Sequence, residues 1–238
     1  MSAHAVGQTG IPTQATVRLR SITHGAARML PSPRTTPLAT AMVMLLVLAG
    51  AWLHTHPDQI DQIAAWTSTN VDNLGHHPIA ALVASAFVVP SGLLVPLIVV
   101  ALGFAVLERA IGGWRTAVVA LSGQVFASLL TEYGADLGAR LHLVVDSAPD
   151  RLDVGVSYVM YAVLTAAALR LPGPARIVSV LVIGASVLVP FAIAPGMTTT
   201  GHLLSVTFGA IALILLTAHR PIRAGRTTTA RPDLFRTA

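Results

Sequence analysis

The chain has 238 residues, of which 54% are hydrophobic and only 11% charged, with a net charge of +5. A water-soluble domain of this size carries roughly a quarter charged residues, so a fully hydrated surface is excluded. With no cysteine there is no disulfide, thiolate nucleophile or thiolate metal site, and all fifteen basic residues are arginine.

In chain order, residues 1–36 are rich in Thr, Arg, Pro and Gly and read as a disordered cytoplasmic tail. Apolar blocks then predict membrane spans at Pro37–Leu53, Pro90–Leu107, Thr116–Leu130, Gly155–Leu169, Ile177–Ala194 and Thr200–Ala218. Several are shorter than the roughly 20 residues of a straight crossing, so they mark apolar cores with ragged ends. Ala49-Gly50-Ala51 resembles a cleavage site, but 36 residues precede the first block, so it reads as a retained span. A further apolar stretch, Pro78–Val89, precedes Pro90 and Pro96 and predicts a hairpin or short helices in the membrane, and the whole connection from Trp66 to Val89 is expected to be partly embedded and packed to one side. Residues 219–238 read as a second Arg-rich tail.

The arginines orient these spans. With both termini cytoplasmic, thirteen arginines fall inside and only Arg140 and Arg151 outside, while eight of ten acidic residues fall outside. The fold expected is an all-α integral membrane domain over 37–218 in the cell membrane, with the lipid bilayer as its first partner. Arginines clustered at the inner boundaries set topology, so nucleic acid is not an expected partner.

Few polar residues lie within the spans. Ser157 stands four residues past Asp153, and His202 a few residues into the last span. Both spans run from outside to inside, so the two side chains share a depth on the order of 5–8 Å below the outer boundary. A hydroxyl becomes a nucleophile when a base takes its proton, and neutral His is the usual base near pH 7. The plainer alternative is a serine bonded to its own helix and a histidine at the water interface.

Other polar groups carry plainer readings. His76-His77, with His54 and His56, read as solvated loop residues rather than a metal site. Glu132 and Asp136 could share a helix face as a cation site, but read as an acidic interfacial end. Glu108 reads as a structural hydrogen-bonding residue at the inner boundary. Asn70 lies in a loop. No cofactor or metal signature, phosphate loop or internal repeat is present.

These residues resemble the rhomboid family of intramembrane serine proteases. Gly155-Val156-Ser157-Tyr158, followed by Tyr161, is similar to the family's Gly-x-Ser-Gly nucleophile motif at the outer start of its fourth helix. His202, Ser205 and Gly209 resemble its His-x-x-Gly-x-x-x-Gly, with one glycine replaced by another small residue. Glu108 and Gly112 match its Glu-x-x-x-Gly at the inner end of the second helix.

The resemblance implies a six-helix rhomboid-like bundle, with Ser157 as nucleophile, His202 as base and transmembrane helices of other proteins as substrates. It implies that Gly155, Ser205 and Gly209 let the fourth and sixth helices approach. Two departures stand out. Active rhomboids carry a His and an Asn on the second helix, and residues 79–107 contain neither; Tyr158 replaces a Gly. These favour the alternative of a non-catalytic relative that binds transmembrane segments and influences their folding or turnover. The segments Thr67-Ser68-Thr69-Asn70, Asn73-Leu74, Pro78, Ser85-Ala86-Phe87 and 153–158 are similar to an actinobacterial branch of rhomboid-like membrane proteins.

Overall fold

The computed structural model describes residues 30–90, 92–142 and 152–218; both expected tails lie almost wholly outside these. Every regular element among the described residues is a helix. Each of the six expected spans is one of them: α1 (Pro37–Thr55), then, after three short helices, α5 (Leu94–Ile111), α6 (Gly113–Arg140), α7 (Ser157–Arg170), α8 (Gly173–Ile193) and α9 (Met197–Ala218). The short helices are α2 (Ile60–Thr67), α3 (Val71–His76) and α4 (Pro78–Ala84), the last continued by a tight turn at Ser85–Phe87. Four helices, α1, α5, α8 and α9, are long and apolar enough to cross a bilayer, as expected of a multi-pass membrane protein.

Proline and glycine set the boundaries, and here the sequence reading needs correction. The second span starts at Leu94 rather than Pro90, because Gly92 takes a φ of +67° that breaks the helix before it. Pro96 is tolerated in the first turn, where no amide donor is required. At its far end α5 stops at Gly112, whose φ of +88° turns the chain directly into α6. The third element is far longer than the apolar block that marked it. At 1.5 Å per residue, the 28 residues of α6 extend about 42 Å, against about 21 Å for the 14 of α7.

α7, the shortest of the six long helices, is the central one. α7 packs against α5, α6, α8 and α9, and its buried residues include Ala162, Ala166, Ala167 and Ala168. Small side chains let its neighbours come close, as in other membrane bundles where apolar lipid provides no drive for helices to associate. α8 is the opposite case. It packs mainly on α7 and α9, has Val187 as its one buried residue, and turns Ile177, Leu181, Val182 and Ile193 outward. Such an apolar outer face suits hydrocarbon and not water. Helices α3 and α4 lean on α6, to one side of the bundle.

Candidate active site

The chain entering α7 is held from two sides. Thr69 donates its backbone N–H to the carbonyl of Asp153 at 3.0 Å, and its hydroxyl donates to the Asp153 carboxylate at 3.1 Å. The Asp153 N–H in turn donates to the Ser68 hydroxyl at 2.9 Å. Two residues on, the Gly155 N–H donates to the carbonyl of Ser85 at 2.8 Å. The Ser85 hydroxyl accepts from the Gln124 amide at 3.1 Å. Gly155 has a φ of +132°, open only to glycine, and a β-carbon there would meet no atom within 4 Å. Its role is therefore to turn the chain into α7, not to admit a neighbouring helix as the sequence reading had it. Ser157 follows as the first, half-buried residue of the helix.

The close approach of helices occurs farther along. A β-carbon at Gly209 would collide with the backbone of Ala162, and one at Gly123 of α6 with the Ala162 side chain. Ser205 is fully buried and donates its hydroxyl to the carbonyl of Gly201 at 2.8 Å. Gly201 opens a notch in α9 for the Tyr158 phenol, since a β-carbon there would collide with the ring and its hydroxyl. Tyr158 therefore replaces a smaller residue without blocking the approach of α7 and α9. The neighbouring helix supplies the missing volume.

His202 sits against both tyrosines. Its ring lies edge-on to Tyr158 with centroids 5.8 Å apart, and tilted over Tyr161 at 4.6 Å. Tyr161 is four residues past Ser157, so the two share one face of α7. The imidazole is thus seated against the first turn and a half of the helix that Ser157 begins. Its Nε2 is buried and meets no hydrogen-bond partner among the described residues, Ser157 included.

Glu108 lies at the other end of the bundle, buried. One carboxylate oxygen accepts the N–H of Leu38 at 3.0 Å and the other that of Ala39 at 2.8 Å. It caps the first turn of α1, whose free N–H groups and positive dipole end attract an anion.

The remaining polar residues have local roles. His77 stacks on Trp66 and bonds to its carbonyl at 2.9 Å, and His56 stacks on Trp52. His76 pairs with Asp72. Asn70 caps α3 through the Asn73 N–H, and the Asn73 amide donates to the carbonyls of Ala65 and Ser68. Asp136 pairs with Arg140 at 2.8 Å near the surface, but Glu132 is buried, so the two do not form one interfacial acidic end.

The sequence reading missed a polar stripe on α6. Gln124, Ser128, Thr131 and Glu132 are all buried, spaced as i, i+4, i+7 and i+8. That spacing, running through and just past an apolar block, was the available signal.

With this geometry in view, comparison with known proteins gives one result. The family described as rhomboid-like protein matches residues 34–223. No curated protein matches, and no solved structure does.

Proposed function

Because the chain belongs to the rhomboid-like protein family, we propose that it is an intramembrane serine endopeptidase of the cell membrane. In this reading α1, α5, α6, α7, α8 and α9 all cross the bilayer, and both termini are cytoplasmic. The Arg bias supports that orientation. The observation that carries the catalytic part is the His202 ring packed on Tyr161, one turn from Ser157 on the same helix face, with a buried Nε2 left for a proton.

The chemistry uses groups of this chain. Ser157 Oγ attacks the carbonyl carbon of a peptide bond in a locally unwound substrate helix, while His202 Nε2 takes the hydroxyl proton. The tetrahedral intermediate collapses as that proton passes to the departing amine, leaving an ester on Ser157. Water then attacks the ester, again through His202, and the acid product leaves. The first N–H groups of α7 have no acceptor within the helix, and they face the developing oxyanion together with the helix dipole. The second helix offers no Asn or His to assist. Loss of one such donor costs about a hundred- to a thousandfold in rate, so turnover is slow.

That same absence favours a second reading, a relative that binds transmembrane segments of client proteins without cutting them. Labelling of the detergent-solubilised protein with a serine-directed fluorophosphonate separates the two. A protease labels at Ser157, and both Ser157→Ala and His202→Ala abolish the signal. No labelling in any of the three, or equal labelling in all, overturns catalysis and leaves the binding reading.

A further inference from the structure

The segment from Thr67 to Ser85 holds more buried polar groups than capping requires, and its bonds converge on one short stretch of chain. We infer that Ser68, Thr69 and Ser85 form a latch that positions the nucleophile: Ser68 and Thr69 grip Asp153, Ser85 grips Gly155, and together they fix where α7 begins. This rests on the reading of Ser157 as nucleophile and adds to it the residues that place it.

Asp153 and Gly155 are each bonded through their backbone, so the latch defines a path rather than a single point. Gly155 needs this because its conformation is open to glycine alone and glycine is the most mobile residue. Left unheld, the turn would let the first residues of α7 fray, and helix termini fray readily. Ser68 and Thr69 are almost wholly buried, at 0% and 1% exposure, and their bonds reach a partly buried Asp153, so they are only partly open to competing water. Ser85 is anchored in turn by Gln124 of the long helix α6. The latch therefore ties the start of α7 to the most extended element of the bundle.

The arm that carries the latch also presents Trp66 and Ile79 outward, at 55% and 79% exposure. Between the latch and these side chains lies one compact unit: α2 packs on α4, and Asn73 bonds back to Ala65 and Ser68. Displacement of the arm is carried to Asp153 through the same bonds.

The test uses the full chain in detergent, with Thr69→Val, which keeps the shape and removes the hydroxyl, and Thr69→Ser, which keeps the hydroxyl. Two readouts are taken: the second-order rate of fluorophosphonate labelling, and amide hydrogen exchange in peptides covering 154–160. Thr69→Val slows labelling about fivefold to tenfold, in line with loss of one or two partly buried hydrogen bonds. It speeds exchange at 154–160 without speeding it in α9, and Thr69→Ser restores both. Ser68→Ala, which strips the acceptor from the Asp153 N–H, provides a second route should Thr69→Val not fold. If the wild type does not label, the protease reading fails and exchange alone decides the latch. Unchanged exchange at 154–160, or unchanged labelling in a protein that does label, overturns it.

Discussion

Glu108 and His202, at opposite ends of the bundle, meet their surroundings in opposite ways. At the Glu108 end, one carboxylate meets two N–H groups at 2.8 and 3.0 Å, and Gly112 turns the chain tightly into the next helix. At the Ser157 end, the approaching chain is bonded just as fully, yet the imidazole it leads to has a buried nitrogen with no partner. A buried polar atom without a partner costs free energy. A satisfied group is explained by the fold alone. An unsatisfied one beside a candidate nucleophile calls for a role.

Substitutions at Ser157, His202 and Glu108 should separate the roles of the two sites. The largest effect falls on chemistry. On the proposed protease reading, in which Ser157 and His202 act as one unit, Ser157→Ala and His202→Ala each lower fluorophosphonate labelling by about a thousandfold or more, while the melting temperature in detergent changes little. Glu108→Ala should do the reverse. It leaves two α1 amides without their charged acceptor and is expected to destabilise the fold by about 3 kcal/mol, seen as a large drop in melting temperature. Glu108→Gln retains one acceptor oxygen and should fall between. A Glu108→Ala protein as stable as wild type would dissolve the contrast between the two ends.

Gly209→Leu comes next. It drives a side chain into the Ala162 backbone and is expected to cost about 2 kcal/mol, again read by thermal unfolding. The smallest effect is at Asp136→Ala, which breaks a half-exposed pair with Arg140 and should shift stability by no more than about 0.5 kcal/mol. A larger loss there would mean that this end of α6 carries more of the fold than its exposure implies.

Much of the architecture was legible beforehand, for reasons particular elements show. Each of the six apolar blocks became a helix because backbone polar groups in hydrocarbon must be satisfied within the segment. Their edges moved where glycine or proline intervened, as at Gly92 and Gly155, since a positive φ cannot be read from an apolar run. Glu108 was read as structural, but its partners lie some seventy residues earlier, at Leu38 and Ala39, and nothing local points to them. Glu132 was read as interfacial because it lies near the end of an apolar block, yet α6 continues past it to Arg140 and the neighbouring helices cover it. Gln124 and Ser128 passed unnoticed because each looks like an isolated polar residue until a helical wheel aligns them.

Read alone, the amino-acid sequence was enough to show that this chain folds into apolar helices, roughly where those helices fall, and which short motifs resemble the family's. Hydropathy, arginine placement and short motifs are local properties, and they survive in one dimension. It took the packed structure to reveal that the shortest of the six long helices sits at the centre, that Gly201 makes room for Tyr158, and that His202 rests on Tyr161. These depend on which helices become neighbours and how closely their backbones approach, and so on side-chain volume matched between stretches of chain far apart in sequence.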